Sequence, residues 1–126
     1  MAVTHNTTVR NSVADVVVDA IDAGGAGSIV FQDGGSSDSD VATLAFSNPA
    51  FGDAASGVAT ANAITDDTNC NAGTVTKFTV YSGAAADIFT GSVTATGNGG
   101  DIILSSVAIG AGDTISISSL TYEAPN

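Results

Sequence analysis

The stretch Phe89-Thr90-Gly91-Ser92-Val93-Thr94-Ala95-Thr96 decides how this chain is read. Phe89, Gly91, Val93 and Ala95 fall on one side of an extended backbone, and Thr90, Ser92, Thr94 and Thr96 fall on the other. A two-residue period of this kind is the mark of a strand with one face buried. The surrounding run, Phe78 to Tyr122, repeats the pattern. Ile102 and Leu104 share a face within Asp101–Val107, and so do Ile115 and Ile117 within Thr114–Tyr122. Gly97-Asn98-Gly99-Gly100 and Gly110-Ala111-Gly112-Asp113 separate the segments and supply turn residues that enter positive φ at little cost. The expectation is a strand meander on which everything upstream packs.

Upstream, Ser28–Asp33 reads as a short strand with Ile29 and Phe31 on one face. Val41–Ser47 alternates with Ala42, Leu44 and Phe46 inward, and Asn48-Pro49 breaks it. A weak strand follows near Val58–Ile64. A stronger one, Thr74–Ser82, sets Thr76, Phe78 and Val80 against Lys77 and Tyr81. Near the N-terminus the period changes. Val9, Val13, Val16, Val17, Ala20 and Ile21 recur at helical spacing, opposite Asn11, Ser12, Asp15, Asp19 and Asp22. Asn6, Thr7 or Thr8 serves as N-cap, and Gly24-Gly25 ends the helix. Valine is a mediocre helix former, so packing of the stripe, on its own sheet or on a neighbouring subunit, must hold this helix. No heptad, solenoid period or linker is visible. The expected organisation is one domain: a loose arm over 1–8, a helix over 9–23 and a β-domain over 28–122. The fold class is mainly β, a single β-sandwich or small barrel of seven to eight short antiparallel strands behind one N-terminal amphipathic helix.

At 126 residues the chain can bury a modest core. Thirteen acidic residues, twelve of them aspartate, face only Arg10 and Lys77, for a net charge of −11. Two cations cannot make the basic stripe that nucleic acid requires, and an anionic membrane is disfavoured for the same reason. Such a surface keeps a protein soluble and apart from others; it also suits saline surroundings, where screening makes the charge tolerable. The N-terminus has no basic region followed by an apolar stretch, so no signal peptide is expected, and no apolar run reaches membrane-spanning length.

Little in the chain looks like chemistry. His5 is the sole histidine and Cys70 the sole cysteine, one of each being too few for a zinc site, and His5 lies in the loose leader, which gives Ser-His-Asp catalysis little to stand on. Cys70 lies in a polar loop without a cation to activate its thiol. The pairs Asp66/Asp67 and Asp38/Asp40 read as solvated loop tips, and Asp33…Asp38-Ser39-Asp40 lacks EF-hand spacing, although clustered oxygens suit Ca²⁺ in general. No cofactor or metal is expected, and no enzymatic activity. Arg10, at a helix start where the dipole disfavours a cation, is either solvated or paired with an acid of a partner chain.

The sequence resembles a group of small virion proteins of tailed phages. The likeness rests on Val9-Arg10-Asn11 opening an amphipathic helix, the glycine-rich break after it, and the closing run. That run comprises Gly91-Ser92-Val93-Thr94-Ala95-Thr96-Gly97, Asp101-Ile102-Ile103-Leu104, Ile109-Gly110-Ala111-Gly112-Asp113-Thr114-Ile115 and Leu120-Thr121-Tyr122. The resemblance implies a non-enzymatic capsid decoration (cement) protein on the virion surface, bound to the major capsid protein and to itself, as a trimer at local three-fold positions. The runner-up is a head- or tail-fibre module that contacts the host. Apolar and backbone groups of the N-terminal segment Ala2–Val9, Val3 and Val9 among them, and of the β-turn loops are the expected contacts, with Arg10 and Lys77 the only cations able to meet a capsid carboxylate.

Overall fold

The computed structural model describes residues 3–35, 39–117 and 119–124. Helix α1 spans Thr7–Asp19, and a 3₁₀ turn, Ala20–Asp22, continues it. Asn6 is the cap, its side chain accepting from the Val9 N–H at 2.9 Å. The far end is closed by another part of the chain. The Ile21 and Ala23 carbonyls accept from the N–H groups of Gly83 and Ala84. Gly83 must be glycine here, because a Cβ would stand 2.4 Å from the Gly25 carbonyl oxygen.

Strands β1 (Ser28–Gln32), β2 (Asp40–Ala45), β5 (Lys77–Tyr81), β6 (Asp87–Ala95) and β7 (Ile102–Leu104) form one sheet in the order β2-β1-β5-β6-β7. Two further pairs, β3 (Val58–Thr60) with β9 (Thr121–Glu123) and β4 (Gly73–Thr74) with β8 (Ala108–Ile109), complete a mainly β protein with one N-terminal helix. β1 is the axis. It is antiparallel to both neighbours, and four of its five residues are buried. Its continuous apolar run fits a strand covered on both faces. Ile29, Phe31, Leu44 and Val80 are fully excluded from water. Phe78 meets Phe89 edge-on at 6.2 Å, and Phe89 stacks on Tyr122 at 5.4 Å, tying the last strand to the main sheet. The buried Thr79 hydroxyl donates to the Gln32 side-chain Oε1 at 2.9 Å, and the Gln32 side-chain Nε2 donates to Asp40.

The inward positions expected for β2, β5 and β6 are buried at Ala42, Leu44, Phe78, Val80 and Val93, but Val41 and Thr79 on the opposite faces are buried too and Thr76 is exposed; Ile102 is buried while Ile103 on the opposite face is 53% exposed. The meander does not hold. β7 lies parallel to β6, with Val93 opposite Ile102 and Ala95 opposite Leu104. The glycine-rich segment 97–100 runs back along β6 instead of forming a hairpin. Side chains hold it there: the Thr94 hydroxyl accepts from the Gly100 N–H, and the Asp101 carboxylate accepts from the Ser92 N–H at 2.9 Å. The chain then turns and climbs again as β7. Thr114–Tyr122, expected as one strand, contributes an isolated bridge at Ile115 and the short β9, whose partner is β3. The C-terminal run therefore completes sheets begun upstream and is not the platform for them.

Candidate docking surface on helix α1

Helix α1 packs over the β3–β9 ribbon, and the face it turns inward is not the valine stripe. Ala14, Val18 and Ile21 are the buried apolar positions. Polar side chains on the same side are its fasteners. Asn11 accepts from the Gly57 N–H at 2.7 Å, Asp15 from the Ala54 N–H at 2.8 Å and Asp22 from the Ala50 N–H at 2.9 Å. Three orphan donors of the 50–57 loop are thereby satisfied by the helix. A buried backbone N–H left unpaired costs about 1–3 kcal/mol, so these contacts fix the helix rotation as firmly as apolar burial does. Asn11, Asp15 and Asp22, expected on the solvent side, are half-buried.

Arg10 meets neither expectation for it. Its guanidinium lies over Gly57 and donates to Glu123 and to the Ala124 carbonyl, both at 3.2 Å, within its own chain. The ion pair closes the C-terminal strand onto the helix start. Lys77 is half-buried on β5, between Gln32 and Ser92 in register. Val3, 57% exposed, precedes the helix.

The inward turn of the polar side leaves the valines outside. Val9 is 42%, Val13 38% and Val16 72% exposed. With Thr8, Ser12 and Val17 they line a shallow, almost wholly apolar surface of the helix. Of the two places expected for this stripe, its own sheet is excluded, because Val9, Val13 and Val16 face outward. A second apolar line, Ala14, Val18 and Ile21, at spacings of four and three, was the available signal that the helix has two candidate inner faces. Beyond the stripe stands Asp19, whose carboxyl is pushed above its ordinary value of 3.8, first by burial and then by Asp15, Asp22 and Asp53.

Elsewhere, two adjoining hollows of about 260 and 470 Å³ lie between β7 and the segment 114–121, meeting at Ile103, Leu104 and Ser116. Their acids, Asp101 and Asp113, are engaged with the Ser92 and Gly110 N–H groups. The aspartate excess has a structural use. Asp33 accepts from Gly35 and Ser39, and Asp67 from Thr43 and Asn69, so Asp67 is a loop fastener and not a solvated tip. A short carboxylate side chain reaches a nearby backbone donor where glutamate overshoots. Asp38 lies outside the described residues. Among the described residues no group of three or more His, Cys, Asp or Glu is placed to hold a metal ion. Cys70, read as a loop residue, is 2% exposed within the core, and burial followed by the Asp67 charge pushes its thiol up, away from reactivity.

Among the described residues no helix is long and apolar enough to cross a membrane. Comparison of the chain with protein-family models, with curated proteins and with solved structures finds no match.

Proposed function

We propose that this chain is a non-enzymatic structural subunit of a virus particle, a capsid decoration protein that binds the assembled head and stabilises it. The observation that carries the reading is the outward valine face of α1, an adhesive surface on an acidic module whose other described carboxylates largely serve its own loops. The resemblance to small virion proteins of tailed phages supplies the setting. We read the three sheets as an irregular sandwich over the Phe31–Leu44 core. Stabilisation works by mass action, since a protein that binds only the assembled shell shifts the equilibrium towards it. Repeated weak contacts between neighbouring copies add through multivalency.

The test is binding of the purified protein to undecorated heads and, separately, to free capsid subunits. Saturable binding to heads alone, at copy numbers on the order of hundreds, supports decoration through an array of many weak sites. A handful of copies per particle favours the fibre module instead, and binding to neither overturns the reading. Attachment by the N-terminal arm is tested by deleting Met1–Thr4. A deletion through Thr8 removes the Asn6 cap and the first two residues of α1, and so confounds attachment with folding.

A further inference from the structure

We infer that two copies of this chain pair through α1, antiparallel, with their valine faces in contact. The inference rests on the reading of the chain as an assembly subunit, and not on which shell it joins.

Val9, Val13, Val16 and Ala20 are spaced four, three and four residues apart. That is two heptads of a seam repeating every 3.5 residues, the spacing with which helices pack on one another. The seam lies opposite the line Asn11, Ala14, Val18 that docks α1 on its own domain, so a second helix reaches it without displacing anything. The side chains of this face are valine, serine and threonine until Asp19. In a molecule of net charge −11, two copies approach with least repulsion across a face that carries no carboxylate before Asp19 at its C-terminal end.

Charge also sets the direction. The first turn of α1 contains no acidic residue and the last turn no basic one. The C-terminal end instead carries Asp19, crowded by Asp15, Asp22 and Asp53, where the helix dipole is already negative. The arrangement is unfavourable within one chain and complementary between two. An antiparallel partner brings its acidic end over the first turn, Thr7–Arg10, where the dipole is positive. A parallel bundle, such as a three-fold cluster on the same seam, gathers the Asp19 carboxylates at one end. The antiparallel register that keeps the seam closed sets Val13 against the partner's Val16 and Val9 against the partner's Ala20. The contact is isologous, as a two-fold pair requires.

The pair is weak by design of its size. Thirteen residues make a helix about 20 Å long, and a strip about 10 Å wide along it covers roughly 200 Å². A stable interface needs about 800 Å² on each partner. Pairing therefore belongs to high local concentration, the condition on a crowded particle surface.

Sedimentation equilibrium of the full chain, from about 10 µM to about 1 mM in roughly 0.5 M salt to screen the net charge, reads the association. The expected result is a monomer–dimer equilibrium, weakened about tenfold or more by Val16→Asp. The melting curve of that variant at low concentration should match the parent, since Val16 is 72% exposed. Direction is read by disulfide trapping. Val9→Cys mixed with Ala20→Cys should crosslink, and neither should crosslink with itself, while the native Cys70 is buried and silent. A monomer throughout, an undiminished dimer with Val16→Asp, or self-crosslinking of Val9→Cys overturns the inference. None of these outcomes depends on capsids. Pairing without head binding overturns the decoration reading alone, and head binding without pairing overturns the pairing alone.

Discussion

Replacing Val18 and Val16 by alanine, one at a time, separates the two faces of α1. Val18 is 1% exposed and Val16 72% exposed, two residues apart on the same helix. Val18→Ala removes two buried carbons' worth of transfer energy, at about 0.8 kcal/mol each, and leaves a cavity in the core cluster that Val18 shares with Ile21. Alanine returns about 0.5 kcal/mol of helix propensity, so the net loss is about 2 kcal/mol. For a domain of this length that lowers Tm by roughly 8 °C. Val16→Ala forfeits only the buried quarter of the same side chain, about 0.4 kcal/mol, and regains a similar amount in propensity, for a net change near zero. Thermal unfolding followed by circular dichroism, at concentrations low enough to keep the chain monomeric, reads both. Equal losses for the two variants, or a larger one for Val16→Ala, would mean that the valine stripe is the docked face and that the helix rotation described here is wrong.

Asn11→Ala strands the Gly57 N–H and should cost about 1 kcal/mol net of the propensity gain, measured by urea denaturation; an unchanged midpoint would show that the helix–loop bond carries no weight. Gly57→Ala combines a left-handed φ of 78° with a Cβ 2.6 Å from the Arg10 Cζ, so it should cost about 2 kcal/mol and loosen the Arg10–Glu123 pair, read as faster amide exchange of the C-terminal strand. The carboxyl of Asp19 is raised on folding, so the folded chain binds that proton more tightly than the unfolded one does. Its charge therefore costs stability as pH rises from 3.8 through the folded value. Asp19→Asn should melt above the parent at neutral pH and match it below that range, and identical melting at every pH would remove the crowding argument. Asp101→Ala removes the acceptor for Ser92 and should detach β7 from β6 at a cost of about 1–2 kcal/mol, visible as lost protection of the Ile102–Leu104 amides.

Much of the local structure follows from the sequence alone. The Asn6 cap, the helix, its glycine stop and the positions of β1, β2, β5 and β6 depend on neighbours within a turn or on a two-residue period, and such signals are written in short stretches. The faces of the strands follow too, because Phe31, Leu44, Phe78 and Val93 have no acceptable place except the core. The tertiary structure decided what needs a distant partner. Whether β7 runs parallel or antiparallel to β6 turns on Asp101 and Thr94 capturing the backbone of 92 and 100, a choice made by side-chain hydrogen bonds that hydrophobic pattern does not record. Cys70 is a core residue because the loop around it is pinned at both ends, by Asp67 to Thr43 and by the Asp113 carbonyl to the Cys70 N–H. The rotation of α1 is the clearest case. Periodicity locates an apolar stripe and assumes that the stripe is buried, whereas the unpaired N–H groups of Ala50, Ala54 and Gly57 required acceptors. Asn11, Asp15 and Asp22 supplied them, and satisfying those donors turned the valines outward.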